Sequence, residues 1–346
     1  MKISVAMATY NGAQYIQEQL QSLIDQWRQP DELVVCDDGS QDNTVSILES
    51  FAKSAPFPVR IYRNEKNLGY TANFFKAARL CGGDWVALCD QDDVWLCNKL
   101  SAAESAIIEH PNLVMVLQNS ELCDGNLNPR GRLFPNKMRG GVYGANSQYG
   151  FWVWPGFLQT VKSEFFKKIN SGEVPLNYFP GHPRQSHDKW TCMISNALGG
   201  ICVLSQPAAL YRRHEGALTG RYAGKSIGER VNASRNVDSA HYRFLVTVAR
   251  SSASYLTTAA EEASDEYWRN SFIDAAQNFE NLAIIQAEWA ALYESADIFN
   301  RIGHFIKIGR MGGYIGPSFS TMGIKSALKD LTKVFCRSLI KARQPL

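Results

Sequence analysis

Blocks of apolar and polar residues alternate along the first 120 residues in a pattern that predicts repeated strand and helix units. The short, mainly apolar run at 3–8 is typical of a buried strand, and Ile16, Leu20, Leu23 and Ile24 then recur at helical spacing. Similar patterns predict strands at 33–36, 59–62, 85–89, 113–117 and 201–204, and helices at 45–51, 70–80 and 186–198. Alternating strands and helices indicate an α/β fold with a mixed, mostly parallel sheet and helices on both faces.

Two later regions depart from this alternation. Residues 124–150 are rich in Gly, Asn, Pro and Arg, and a connection of that length is typical of a ligand-handling loop or of disorder. Residues 242–259 and 265–300 contain no Pro and have a helical pattern. The chain is therefore predicted to comprise an α/β domain at 1–220, a helical extension at 221–300 and a C-terminal segment at 301–346.

Charge is concentrated at the C-terminus. Residues 299–346 hold nine Lys or Arg and one Asp, a local balance of +8, so the chain's net charge of +3 leaves −5 on the other 298 residues. Lys325, Lys329 and Lys333 recur every four residues among apolar ones, as in a basic amphipathic helix. We expect this segment to dock on an anionic membrane surface. The alternative is a helix that packs on the protein with a solvated charged face.

Composition narrows the class of protein. With 45% hydrophobic and 20% charged residues the chain is globular rather than disordered, and a net charge of +3 is too small to indicate a nucleic-acid binder. Its eight cysteines form no C-x-x-C pair, which favours buried free thiols in a reducing compartment. The apolar run at 3–8 is too short for a signal peptide, and no apolar run reaches 18 residues, so a cytoplasmic location is expected.

Polar residues follow three of the predicted strands, at 9–12 (TYNG), 37–40 (DDGS) and 90–93 (DQDD). Ligands of open α/β sheets bind at the carboxyl ends of the strands. The first segment offers hydroxyls, an aromatic ring and a glycine. The second offers a carboxylate for a pyrimidine N–H, and the third offers three hard ligands for a divalent cation on a diphosphate. Each segment alone is more often a turn, a helix cap or a solvated loop.

Six segments in order resemble family 2 glycosyltransferases, which are inverting enzymes with a GT-A (Rossmann-like) fold. They are 9–12, 37–40, 67–70 (NLGY) with Asn73, 90–95 (DQDDVW), 187–190 (HDKW) and 211–214 (YRRH). The resemblance covers about residues 1–220 and implies that this part is the nucleotide-sugar-binding and catalytic domain. One departure follows His214, where EGALTG replaces the Gly-Asn-rich loop common in the family.

The resemblance implies a role for each matching residue. The donor-binding residues would be Thr9, Tyr10, Asn11, Asp38, Asn67, Gly69, Asn73, Asp90 and Arg212. Asp92, Asp93 and His214 would hold Mg²⁺ or Mn²⁺, with Asp90 and Asp92 forming the D-x-D. Asp188 would be the general base, and His187 and Trp190 would contact the acceptor. The alternatives are a helix N-cap for Asp188, an exposed loop histidine for His187 and a surface basic cluster for His214.

The same motifs suggest the bacterial polysaccharide branch, in which rhamnosyltransferases are frequent. We therefore expect transfer of L-rhamnose from dTDP-rhamnose to a cell-surface polysaccharide or lipid-linked glycan at the inner face of the cytoplasmic membrane. Acceptor choice would lie in 124–150 and in the aromatic segment 151–157. Alternatives are a UDP-hexose donor, or a catalytically silent scaffold in a glycan assembly complex. A sugar nucleotidyltransferase is disfavoured because residues 9–12 are not a Gly-rich, basic phosphate loop.

Overall fold

The computed structural model describes residues 1–134, 140–170, 173–178, 183–214, 237–316 and 319–340. The strands are β1 (Ile3–Thr9), β2 (Glu32–Asp37), β3 (Val59–Arg63), β4 (Trp85–Cys89), β5 (Val94–Trp95), β6 (Met115–Cys123), β7 (Pro129–Arg132), β8 (Gly141–Tyr143), β9 (Gln159–Lys162) and β10 (Ile201–Arg212). The helices are α1 (Ile16–Ile24), α2 (Thr44–Ala52), α3 (Tyr70–Leu80), α4 (Lys99–Glu109), α5 (Glu164–Lys168), α6 (His187–Leu198), α7 (Ser239–Glu262), α8 (Glu266–Glu294), α9 (Ile298–Arg310) and α10 (Ile324–Ile340).

The ten strands of the described residues form one sheet whose main path runs β3-β2-β1-β4-β9-β6-β10-β5. The pairs among β1 to β4 are parallel, as is the β6–β10 pair. Strand β9 lies antiparallel between β4 and β6 and joins the two parallel halves. This confirms the predicted mixed, mostly parallel α/β sheet.

The short strands β5, β7, β8 and β9 have no counterpart in the sequence prediction. Strand β7 is exposed throughout and therefore carries no apolar pattern. Strands β7 and β8 lie within 124–150 and pair with β6 and β10, so the described part of that region is held by the sheet rather than being one long loop. The aromatic segment after it is partly core, since Trp154 is buried and its Nε1 donates to the Gln118 carbonyl at 2.8 Å.

The C-terminal helices pack on one another and on the sheet domain. Helices α7 and α8 lie along each other, and α8 also contacts α6. The helical pattern at 265–300 spans α8 and the start of α9. Asp297 accepts a hydrogen bond from the backbone N–H of Asn300 at 2.8 Å and starts α9 as a separate helix. Within the described part of the chain, every helix is too short or too polar to cross a membrane.

Candidate functional site

The polar segments after β1 and β4 meet through a clasp made by Gln91. The backbone N–H of Tyr10 donates to Gln91 Oε1 at 2.9 Å, and Gln91 Nε2 donates to the Tyr10 carbonyl at 3.1 Å. A Cβ on Gly12 would lie 2.2 Å from Gln91 Oε1, so only glycine permits this approach. The clasp leaves the Tyr10 side chain 50% exposed at the carboxyl edge of the sheet.

The segment after β2 is tied to β1 through Asp37. Its carboxylate accepts from Thr9 Oγ1 at 2.9 Å and from Ser40 Oγ at 2.5 Å. Asn11, in the left-handed region with a φ of 48°, accepts from the Gln41 N–H at 2.8 Å. The Thr9 hydroxyl therefore lies inside the protein, where it holds the two strand ends together.

Asp38 organises the loop that leads into α3. Its buried carboxylate accepts from Asn64 Nδ2, from the Leu68 N–H and from the Gly69 N–H, each at 2.8 Å. Asn67 Nδ2 donates to the Asp38 carbonyl at 3.1 Å. Gly69 has a φ of 82°, which favours glycine at this turn.

Asn73 lies beneath this loop. It is buried, donates to the Cys36 carbonyl at 2.7 Å and accepts from Asn64 Nδ2 at 2.8 Å. The expected donor contact by Asn73 is therefore corrected, because its side chain supports the Asp38 loop from below and does not reach solvent.

Three carboxylates gather after β4. One oxygen each of Asp90, Asp92 and Asp93 lie within 4.8 Å of one another. Asp93 is fully buried, and its Oδ1 accepts from the Arg212 N–H at 3.0 Å, while its Oδ2 has no partner among the described residues. Burial, with the charges of Asp92 and Asp188, raises the pKa of Asp90 to about 8. An unpartnered buried carboxylate oxygen among like charges fits a divalent cation with oxygen ligands.

Below this carboxylate cluster lies Lys99, which the sequence analysis missed. Its fully buried ammonium donates to Gln118 Oε1 at 3.2 Å and sits 4.7 Å from the centre of the Trp95 ring. Burial lowers the pKa of Lys99 to about 7, while the charge of Asp93 acts in the opposite direction. Lys99 therefore offsets negative charge of the cluster only in its protonated form.

The Arg212 side chain makes hydrogen bonds and an ion pair with other residues of the chain. Its guanidinium donates to the carbonyls of Asp92 and Gly125, both at 2.8 Å, and pairs with Glu18. It also lies 4.6 Å from the centre of the Tyr15 ring. The expected direct contact of Arg212 with the donor diphosphate is therefore corrected. Its donors fix the loop that carries the carboxylate cluster.

His214 lies at the carboxylate cluster and not in a surface basic patch. Its Nε2 is 3.0 Å from Asp92 Oδ2, and its ring centroid is 4.5 Å from that of Tyr15. Tyr15 and Glu18 were not predicted from the sequence. Their spacing of three on one face of the α1 segment was the available signal, since Tyr15 packs on His214 and Glu18 holds Arg212.

Helix α6 brings Asp188 towards the carboxylate cluster. Ser186 is the N-cap residue, so Asp188 is the second residue of the helix and not its cap. The Asp188 Oδ1 accepts from Ser186 Oγ and, at 2.9 Å, from the Lys189 N–H. The charge of Asp188 contributes to the raised pKa of Asp90, so the Asp188 carboxylate lies near the cluster.

The alternative of an exposed loop histidine at 187 is wrong. His187 is 5% exposed and stacks on Phe74 with ring centroids 3.9 Å apart. Burial lowers its pKa to about 4, so the ring is neutral, and neither ring nitrogen has a partner in the described ranges. A Cβ on Gly156 would lie 2.5 Å from His187 Nε2, which explains the glycine there.

Trp190 belongs to the core. Its side chain is 0% exposed, its Nε1 donates to the Tyr255 hydroxyl at 2.7 Å, and its ring stands perpendicular to Phe75 at 5.2 Å. The expected acceptor contact by Trp190 is therefore corrected. The ring joins α6 to α3 and α7, and a sugar cannot reach it in this structure.

The sheet and the site at its carboxyl edge define a GT-A-type protein. Residues 4–167 match the family described as "Glycosyl transferase family 2". The matched residues are just under half of the chain, and the matched family is the one that its motifs resemble.

Several proteins and solved structures are similar to this chain. The chain is 35% identical over 106 residues to the dTDP-rhamnosyl transferase RfbG of Shigella flexneri, covering 30% of this chain and 37% of that protein. It is 26% identical over 215 residues to an uncharacterised Mycobacterium tuberculosis protein, covering 61% and 59%. The chain thus spans about three-fifths of the length of that relative. The Staphylococcus aureus TarS 1–349 complex with UDP-GlcNAc shares the fold, with a TM-score of 0.54, 21% identity and coverage of 91% and 93%.

Proposed function

We propose that this chain is a metal-dependent inverting glycosyltransferase that moves a sugar from a nucleoside diphosphate to a growing glycan. The observation that carries the proposal is the carboxylate cluster near Asp188 at the carboxyl edge of the sheet, in a chain whose residues 4–167 match glycosyl transferase family 2. Within it, 1–220 would bind donor and metal and perform transfer, with 221–300 as a helical extension and 301–346 as a basic C-terminal segment.

The donor would bind between the segments after β1 and β2 and the carboxylate cluster. The exposed ring of Tyr10 would stack on the base, and Asn67 and Gly69 would shape the loop around Asp38. Asn11, which accepts from the Gln41 N–H, would shape the segment after β2. Mg²⁺ or Mn²⁺ would be held by Asp92 and Asp93 with Asp90 and His214 beside them. A bound cation neutralises charge that develops on the leaving diphosphate.

Asp188 would remove the proton from the acceptor hydroxyl. A single in-line displacement with inversion needs a base opposite the leaving diphosphate. The two described hydrogen bonds to Asp188 both end on Oδ1, so we assign the proton to Oδ2. His187, neutral and fixed against Phe74, would line the acceptor side.

We propose dTDP-L-rhamnose as the donor because RfbG, the relative named as a dTDP-rhamnosyl transferase, is 35% identical over 106 residues. A UDP-hexose is the second candidate. The Escherichia coli protein named as a UDP-Glc:alpha-D-GlcNAc-diphosphoundecaprenol beta-1,3-glucosyltransferase (WfgD) is 30% identical over 124 residues, 36% of this chain and 47% of that protein. That name includes a lipid-linked acceptor. We accordingly propose that this chain works at the inner face of the cytoplasmic membrane.

The test is a panel of nucleotide sugars incubated with purified protein and Mg²⁺ or Mn²⁺, with release of the free nucleoside diphosphate as the readout. We expect slow hydrolysis of one donor, and loss of that hydrolysis in EDTA. A silent scaffold would release nothing from any donor. Hydrolysis that continues unchanged in EDTA would remove the metal from the proposal.

A further inference from the structure

The C-terminal helix α10 is anchored to α8 by one buried carboxylate. Asp330 is fully buried and accepts from Trp289 Nε1 at 2.7 Å, from the Tyr293 hydroxyl at 2.7 Å and from the Tyr314 hydroxyl at 2.8 Å. A carboxylate with three such donors holds its helix firmly in place. One face of α10 therefore packs on the protein.

Helix α9 is anchored on the same stretch of α8. Glu288 accepts from Lys307 Nζ at 2.5 Å and lies 2.8 Å from His304 Nδ1, while Arg301 and Ile308 of α9 are buried. Helices α9 and α10 also contact each other. Since both are anchored on α8, the packed face of each helix is turned towards α8. Their opposite faces point away from it.

Those outer faces are unusually apolar. Of the seventeen large hydrophobic side chains that are exposed in the described residues, seven fall within 298–328. We define the terminal apolar face by five of them, namely Phe299, Ile306, Ile315, Ile324 and Leu328. Phe299 and Ile306 are seven positions apart, and Ile324 and Leu328 are four positions apart, so each pair lies on one side of its helix. A concentration of this kind marks a surface that meets something apolar.

The charged residues beside the terminal apolar face indicate what binds to it. Arg310 and Lys325 are exposed on the same two helices, and residues 299–346 carry a balance of +8. Apolar side chains beside Lys and Arg are typical of helices that lie in the interface of an anionic bilayer. Lys329, by contrast, donates to the Tyr242 hydroxyl at 3.0 Å and lies 5.6 Å from the centre of the Tyr293 ring. It is part of the packed face, although its spacing in the sequence places it with the lipid-facing lysines.

We infer that the terminal apolar face inserts into the interface of an anionic lipid membrane. Phe299 and Ile315 reach the acyl boundary, and Arg310 and Lys325 meet the headgroups. The contact thus includes α9 and the connection that carries Ile315, and not the C-terminal helix alone. This inference deepens the membrane location within the proposed function, but its test measures lipid binding and is independent of catalysis.

The test is co-sedimentation of the full-length protein with vesicles of phosphatidylglycerol and phosphatidylcholine, against phosphatidylcholine alone. Substitution is preferable to deleting 321–346, because deletion would also remove Asp330 and uncover its partners on α8. Phe299→Ser with Ile315→Ser should lower affinity for the anionic vesicles by about tenfold or more. Arg310→Gln with Lys325→Gln should lower it by about fivefold for each charge and weaken its salt dependence.

The matched control replaces equally exposed apolar side chains elsewhere. Trp27 and Ile108 are 73% and 69% exposed, against 78% and 75% for Phe299 and Ile315. Trp27→Ser with Ile108→Ser should leave vesicle binding unchanged. Equal binding by the Phe299 and Ile315 variant, or equal loss by the control, would overturn the inference. So would sedimentation velocity that shows a wild-type dimer without lipid and a monomer for the variant, because the face would then join two copies of the chain.

Discussion

Replacing Asp90 by Asn should stabilise the protein when no metal is bound. In the folded state burial and the neighbouring charges raise the pKa of Asp90 from 3.8 to about 8. The folded protein therefore keeps this proton at pH values where the unfolded chain has released it, so stability falls as pH rises from about 4 to 8. At about 1.4 kcal/mol per pKa unit the upper limit is roughly 6 kcal/mol. Since Asp90 is still partly exposed, screening reduces our expectation to about 1–2 kcal/mol at pH 8.

The assay is urea unfolding followed by tryptophan fluorescence at pH 5, 6.5 and 8, in EDTA and in Mn²⁺. Asp90→Asn should flatten the pH dependence in EDTA and reduce the stabilisation by Mn²⁺ that the wild type shows at pH 8. Asp274→Asn, at an exposed position on α8, is the control and should change neither. Lower stability of Asp90→Asn than of the wild type in EDTA at pH 8, or equal stabilisation of both proteins by Mn²⁺, would refute this prediction.

Three further substitutions separate the roles assigned within the site. Asp92→Ala should weaken metal-dependent donor binding, measured by calorimetry, by about tenfold or more, because it removes a carboxylate ligand of the cation. Unchanged binding would exclude Asp92 from the metal site. Trp190→Phe loses the hydrogen bond to the Tyr255 hydroxyl and should lower the free energy of unfolding by about 1 kcal/mol, with the KM for acceptor unchanged. A raised KM for acceptor would instead support an acceptor contact by Trp190. Gly12→Ala should displace Gln91 and raise the donor Kd by about tenfold with little change in melting temperature, and a wild-type Kd would show that the clasp is dispensable.

The sheet and its functional edge could be predicted because their signals are local. Helix α3 and strand β4 have the bounds expected from the sequence, since continuous apolar runs and helical periodicity mark them. The carboxylate cluster follows β4 directly, so its place at the carboxyl edge required only the strand order. Strand β9 was missed because its Gln159 and Thr160 are polar residues that are nevertheless buried. The hydrogen bond from Gln159 to the Trp154 carbonyl cannot be recognised in the sequence.

Contacts between distant parts of the chain could not be predicted. Arg212 has the residue type and position of a diphosphate contact, yet its acceptors on Gly125 and Glu18 lie 87 and 194 residues away. Trp190 likewise has an aromatic ring suited to a sugar, but Tyr255, 65 residues later, covers its nitrogen. In both cases the partner that removes the side chain from the ligand is set by tertiary packing, which spacing along the sequence does not encode.

The most direct test of the proposed glycosyltransferase compares the wild type with Asp188→Asn on the donor that the panel identifies. The donor Kd and the turnover are both measured with saturating Mn²⁺. Loss of the base should leave the Kd nearly unchanged and lower turnover by about 10² or more, because Asn keeps the side-chain shape but does not accept the proton. Unchanged turnover, or equal losses in donor affinity and turnover, would contradict the account.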